Sequence, residues 1–143
     1  MNKKYIIGLS AVAILFVLQL ILVKHENPAV KNSPNWDSPE TKATFMRVCG
    51  DCHSNETKWP WYSHIPPVSF LVEYDVKEGR EHFNISEYVA DDGVKSAHEF
   101  KTGEMPMWIY TIMHSEAVLS ETESAEFIRG LEATLTENTT EKN

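Results

Sequence analysis

Cysteine is scarce in this chain, with two among 143 residues. A zinc site built from four thiolates is therefore excluded, and the six histidines offer no pair at the three-to-five-residue spacing of a Cys2His2 site. Sustained alternation of polar and apolar residues, the pattern typical of half-buried strands, is also missing. The sequence therefore predicts an all-α fold.

Basic residues are outnumbered, because 13 lysines and arginines stand against 21 aspartates and glutamates. The net charge of −8 makes nucleic acid and anionic lipid surfaces poor partners, since both attract basic patches. All of the acidic residues lie beyond residue 23. They predict a self-repelling, soluble surface there, or a surface that steers a basic protein partner into contact.

The two cysteines stand in the segment Cys49-Gly50-Asp51-Cys52-His53, and Cys-x-x-Cys-His is the spacing of covalent haem attachment. Two thiols one helical turn apart each form a thioether to the same porphyrin, and the adjacent imidazole ligates the iron. We expect one haem c, held by Cys49 and Cys52, with His53 as the proximal ligand. A redox dithiol and a plain disulfide are the alternatives. A dithiol motif usually follows a strand, whereas the residues before Cys49 read as a helix.

A second iron ligand is expected from the segment that precedes the last predicted helix. Gly103 and Pro106 bracket Met105 in a stiff loop, from which a thioether reaches the other side of a haem. Met105 is the expected distal ligand. Met107 is the first alternative, because extended residues two apart point the same way. His64 is the second, and a histidine there would lower the reduction potential relative to a methionine.

The N-terminus carries an uncharged apolar run of 19 residues at positions 5–23, preceded by Lys3 and Lys4. At about 1.5 Å per residue such a run just spans a bilayer, and the lysines favour a cytoplasmic N-terminus. We expect one transmembrane helix in the cytoplasmic (inner) membrane, with the rest of the chain on the periplasmic, extracytoplasmic side. A cleaved signal peptide is the alternative, but residues 23–26 contain no small-x-small cleavage pattern.

The chain divides into four segments by composition. Residues 1–23 form the anchor, 24–35 a proline-containing linker, 36–136 the haem-binding domain and 137–143 a flexible tail. A hundred-residue domain is near the lower size for an unaided core, so a buried haem would help to fill it.

Helix signals occur at both ends of the predicted domain. Ser38 and Pro39 predict a helix that begins there and ends near residue 50. Ser120 and Glu123 form a capping box for a last helix to about residue 135. Further helices are expected within 67–83 and 86–101. The buried stripe of the last helix is expected to consist of Ala125, Ile128, Leu131 and Leu135, with Phe127 beside it.

These motifs together resemble the haem-binding domain family of small bacterial membrane-anchored c-type cytochromes. The resemblance implies covalent haem on Cys49 and Cys52, with His53 proximal and Met105 distal. It does not imply a substrate. The matching stretches are residues 36–41, 49–57, 59–62, 67–69, 103–106 and 119–120.

Two functions compete on these grounds. The first is a membrane-anchored monohaem electron carrier, not an enzyme, which passes single electrons between redox partner proteins of unspecified identity. The second is a haem-based sensor or small-ligand-binding module with an open sixth coordination position. Peroxidase chemistry ranks last, because the sequence shows no recognisable distal pair of histidine and arginine.

Overall fold

Seven α-helices and no strand make up the part of the chain described by this computed structural model, which covers residues 2–21, 23–89 and 95–140, the last five in backbone only. The all-α prediction is confirmed for these residues. Three short 3-10 helices, Trp61–His64, Ile85–Glu87 and Ser115–Ala117, lie between the α-helices. The α-helices are α1 Lys3–Leu18, α2 Pro39–Val48, α3 Gly50–His53, α4 Val68–His82, α5 Ser96–Thr102, α6 Trp108–Met113 and α7 Glu121–Thr140.

The first helix is shorter than the apolar run that predicted it. Helix α1 has 16 residues and ends at Leu18, so it is about 24 Å long at 1.5 Å per residue, against about 30 Å of hydrocarbon in a bilayer. Within the described ranges no helix combines the length and the apolar character needed to cross a membrane. The predicted transmembrane helix is therefore wrong, and so are the single-pass anchoring and the inner-membrane location that depended on it.

The segment expected to be a linker lies along the domain without regular secondary structure. We call residues 25–32 the strap, because hydrogen bonds attach it to the domain at intervals. The His25 ring nitrogen Nε2 lies 3.0 Å from the Ser63 carbonyl oxygen, and the Lys31 backbone N–H donates to the Ser86 carbonyl at 2.8 Å. Further bonds join Asn27 to Thr57, Ala29 to Asn55 and Asn32 to Tyr88.

Arg80 on α4 clamps the start of the strap to the turn after α3. Its Nε donates to the Ser54 carbonyl at 2.8 Å and one terminal nitrogen donates to the Glu26 carbonyl at 2.9 Å. The other terminal nitrogen donates to Asn27 Oδ1 and Thr57 Oγ1. A planar guanidinium presents five donors in a fixed fork, which a lysine ammonium does not reproduce.

Arg80→Lys should therefore weaken the strap while keeping the charge. We expect the free energy of unfolding to fall by about 2–3 kcal/mol, since several charge-assisted hydrogen bonds are lost, and trypsin to cut after Lys24 and Lys31 more rapidly. The matched control is Arg129→Lys on the exposed side of α7, which should change stability by less than about 0.5 kcal/mol. Equal proteolysis of the two variants would contradict the clamp.

The core lies where α2 and α7 pack together with the chain after α4. Ser38 caps α2 by accepting the Thr41 N–H at 3.1 Å, and Pro39 takes the first helical position, as predicted. The two helices approach closely at Gly130, where an added Cβ would clash with the Thr41 side chain. The buried apolar cluster consists of Phe45, Phe83, Ile85, Ala97, Phe127, Leu131 and Leu135.

The predicted capping box of α7 is confirmed. The Ser120 N–H and hydroxyl both donate to Glu123 Oε2, and the Glu123 N–H donates back to Ser120 Oγ. Those bonds, with Arg47 beside the carboxylate, lower the pKa of Glu123 to about 2. The helix continues to Thr140, so part of the expected tail is helical, and residues 141–143 lie outside the described ranges.

The predicted stripe on α7 is partly wrong. Leu131 and Leu135 are buried as expected, but Ala125 is exposed and Ile128 only half-buried. The face in contact with α2 instead runs through Phe127, Gly130 and Thr134, and Thr134 is fully buried. Its hydroxyl accepts the Asp37 backbone N–H at 3.1 Å, which explains a polar residue at a core position.

Candidate functional site

The Cys49–His53 segment forms a helical turn directly after α2. Helix α2 ends at Val48, Cys49 follows as its C-cap, and α3 then continues over four residues. Two bonds from the following chain hold this turn: the Thr57 hydroxyl donates to the Asp51 carbonyl at 2.7 Å, and the Lys58 N–H donates to Asp51 Oδ1 at 2.9 Å. The pentapeptide therefore has one defined conformation.

The two thiols are free. No disulfide joins Cys49 to Cys52. Burial, with Cys52 as the second cause, raises the pKa of the Cys49 thiol to about 12. Burial also raises the pKa of Cys52 to about 12, assisted by Asp75 and Asp51. The reactive thiols of thiol–disulfide oxidoreductases have a lowered pKa, whereas burial shifts the pKa of both thiols here in the opposite direction.

His53 is oriented by the backbone after α4. Its Nδ1 donates to the Phe83 carbonyl oxygen at 2.9 Å, which leaves Nε2 of the neutral ring with a free lone pair. A metal-binding histidine usually donates a hydrogen bond from its other ring nitrogen, the one that does not bind the metal, to a carbonyl or carboxylate oxygen. This bond sets the tautomer of the ring. The side chain is therefore prepared to bind a metal through Nε2.

Helix α4 contacts the cysteine turn at Gly79. A Cβ at this position would lie 2.6 Å from the Cys52 carbonyl oxygen and 3.0 Å from Cys52 Cβ, and contacts under 3.0 Å do not occur without a backbone shift. Only glycine lets α4 approach this closely. The approach brings Asp75 and His82 of the same helix to the wall beside the two cysteines, where burial raises the pKa of the Asp75 carboxyl.

A cavity of about 500 Å³ lies above this turn. Cys49, Cys52 and His53 line one wall, and Met105 and Met107 line the same cavity from the loop between α5 and α6. Apolar residues, among them Phe45, Val48, Phe100 and Leu131, also line the cavity, together with the charged residues Asp75, Glu78, Lys95, Glu99 and Glu104. A groove of about 520 Å³ beside Arg80 is similar in size, but it has no sulfur ligand among its lining residues. The cysteine, histidine and methionine side chains that line the first cavity, and not its volume, make it the candidate cofactor site.

The loop that carries the methionines is fixed at its start. Gly103 ends α5 in the left-handed conformation with φ 77°, which favours glycine. The Glu104 and Met105 backbone N–H groups then both donate to the Glu99 carbonyl, at 3.0 and 3.2 Å. The predicted stiff loop is present, and it brings both candidate methionines to the cavity. The choice between Met105 and Met107 stays a prediction.

His64 lies away from the cavity. It is exposed, and its ring packs edge-on against His25 of the strap, with ring centroids 4.3 Å apart. The neighbouring Trp59 contacts the same His25 ring, while Trp61 is exposed. Neither His64 nor the aromatic segment 59–62 is among the residues lining the cavity.

Sequence reasoning missed Tyr110, which lines the cavity from α6. Its hydroxyl donates to Asp51 Oδ2 at 2.9 Å, and burial, with Asp51 second, raises its pKa. The two residues are 59 positions apart, so no local pattern pairs them.

Comparison with known proteins gives two matches. The sequence profile described as the haem-binding domain matches residues 13–133. Cytochrome c peroxidase Ccp of Escherichia coli (strain K12) is 28% identical over 141 aligned residues, which cover 85% of this chain and 30% of that protein. The chain thus spans less than a third of this relative. No solved structure matches the chain.

Proposed function

The chain belongs to the haem-binding domain family, and from this premise we propose that it is a c-type electron carrier. Cys49 and Cys52 hold one haem covalently, His53 ligates the iron, and Met105 takes the sixth position. The observation that carries this proposal is the placement of two thiols and an imidazole on one wall of a cavity that is also lined by two thioethers.

The residues around the cavity fit a haem. A volume of about 500 Å³ falls in the range of about 300–1,000 Å³ for cofactor sites. The donor set of thiols, imidazole and thioether matches haem c ligation, and it is a poor set for a hard cation. In the described residues no group of three or more histidine, cysteine or carboxylate side chains is arranged for a bare metal ion.

The chain's own residues would control electron exchange. A bound haem supplies reversible one-electron transfer at its iron. The Phe83 carbonyl makes the His53 imidazole more electron-rich through the Nδ1 hydrogen bond. Phe45, Val48 and Leu131 give the inner wall an apolar surface that would exclude water, and ligation by a methionine would favour the reduced iron. The acidic surface would favour a basic redox partner protein.

Met105→Ala tests the sixth ligand against Met107→Ala as its matched control. The Met105 variant should lose the weak near-infrared band of thioether-ligated ferric haem, and its reduction potential should fall by on the order of 0.1 V, within the range of about 0.8 V that axial ligands span. Met107→Ala should keep both properties. The reverse pattern would assign Met107, and two unchanged variants would refute methionine ligation.

Peroxide reduction is a second candidate, favoured by the likeness to a cytochrome c peroxidase. Besides His53, the described cavity lining contains one histidine, His82, and no arginine. Carbon monoxide binding to the reduced wild-type protein, and turnover with hydrogen peroxide and an electron donor, separate the possibilities. Slow carbon monoxide binding without turnover supports the carrier. Rapid binding without turnover indicates a ligand-binding module, and sustained turnover indicates a peroxidase.

A further inference from the structure

One hydrogen bond joins the two walls of the cavity. Tyr110 follows the methionine loop on α6, and Asp51 lies between the two cysteines. The Tyr110 hydroxyl donates to Asp51 Oδ2 at 2.9 Å. Oxygen-to-carboxylate bonds of this kind are among the stronger hydrogen bonds in proteins, because the acceptor is charged.

Both partners of this bond are held in place by other contacts. The other carboxylate oxygen of Asp51 accepts the Lys58 N–H. The Tyr110 ring stacks on His114 at a centroid distance of 3.9 Å and an interplanar angle of 11°. His114 in turn donates from Nδ1 to the Tyr110 carbonyl and accepts the Tyr62 hydroxyl at Nε2. Other contacts therefore orient both the Asp51 carboxylate and the Tyr110 ring for the hydrogen bond between them.

Helix α6 has few other attachments. None of its six residues is buried, and Trp108, Ile112 and Met113 are more than half exposed. Apolar packing therefore contributes little to holding the helix against the domain. The Tyr110–Asp51 bond is its direct link to the haem attachment turn.

We propose that Tyr110 is a positioning residue, whose hydroxyl latches α6 and the preceding Met105–Met107 loop to the attachment turn and so keeps the thioether on the iron. This inference depends on the proposed haem function. In this arrangement the Cys49–His53 segment, which binds the haem, also holds the Met105–Met107 loop, which supplies the second iron ligand. Loss of the latch lets the loop move away and opens the sixth position.

Tyr110→Phe tests the latch, because it removes the hydroxyl and keeps the stacked ring. Tyr5→Phe is the matched control: it makes the same substitution at an exposed tyrosine of α1 that does not line the cavity. In haem-loaded protein, Tyr110→Phe should reduce the near-infrared thioether band and speed carbon monoxide binding to the reduced form about tenfold, the order expected for a lost charge-assisted bond. Tyr5→Phe should match the wild type.

Amide hydrogen exchange across residues 104–113 gives a readout that does not depend on ligation. Faster exchange in Tyr110→Phe than in Tyr5→Phe supports the latch. Equal exchange, bands and binding rates in wild type and Tyr110→Phe overturn it and leave the proposed function standing. A wild-type protein with bound haem but without the band refutes methionine ligation, and the ligand-holding role of Tyr110 with it.

Discussion

Replacing Cys49 and Cys52 together with alanine should abolish covalent haem in the protein produced with a haem c maturation system. The chain has no other cysteine, so no second pair of thiols can take their place. Intact mass under denaturing conditions is the measurement. The wild type should carry the added mass of one haem, and the double variant should have the mass of the polypeptide alone.

His64→Ala is the control for this experiment. His64 is exposed and is not among the residues lining the cavity, so its variant should keep both the covalent mass and the near-infrared band. Haem retained covalently by the cysteine double variant would contradict the assignment. A wild type without covalent haem would refute the c-type proposal directly.

Gly79→Ala should destabilise the domain although alanine is the better helix former. In a free helix this change stabilises by about 1 kcal/mol. Here the new Cβ would lie 2.6 Å from the Cys52 carbonyl oxygen, a backbone atom of the attachment turn. Relief requires α4 to move away from α3, for which we expect a net loss of about 1–3 kcal/mol in the free energy of unfolding, together with reduced haem incorporation.

Gly8→Ala is the matched control, because it makes the same change inside a helix where a Cβ would meet no atom within 4 Å. Its denaturation midpoint should equal that of the wild type or lie slightly higher. Urea titration of both variants, followed by the far-ultraviolet helix signal, measures the difference. A Gly79→Ala midpoint at or above that of the wild type would mean that α4 does not need its close approach.

Local signals in the sequence were sufficient where chemistry acts between near neighbours. The Ser38 cap and the Ser120–Glu123 capping box form as predicted, because each depends on residues three positions apart. The Cys49–His53 spacing likewise places its three side chains at one cavity. Gly103 likewise indicated where the loop begins. It ends α5 in the left-handed backbone conformation, which glycine adopts readily.

Features set by distant contacts were missed. The buried face of α7 depends on the close contact between Gly130 and Thr41 of α2. The helical periodicity of apolar residues predicted that Ala125 is buried, but it is exposed. The Tyr110–Asp51 bond joins parts of the chain that no pattern relates. The apolar run at positions 5–23 was read as one helix, but hydropathy does not indicate where a helix ends, and α1 ends at Leu18.

The strap changes how far apart the N-terminal helix and the domain can move. A free twelve-residue linker at positions 24–35 would give the two parts a root-mean-square separation of about 19 Å, by the scaling for flexible chains. Because hydrogen bonds hold the chain to the domain at His25, Asn27 and Lys31, the strap does not contribute the reach of a free chain of its length. A residue at the start of the strap is thereby kept beside Ser63 instead of ranging over the surface of the domain.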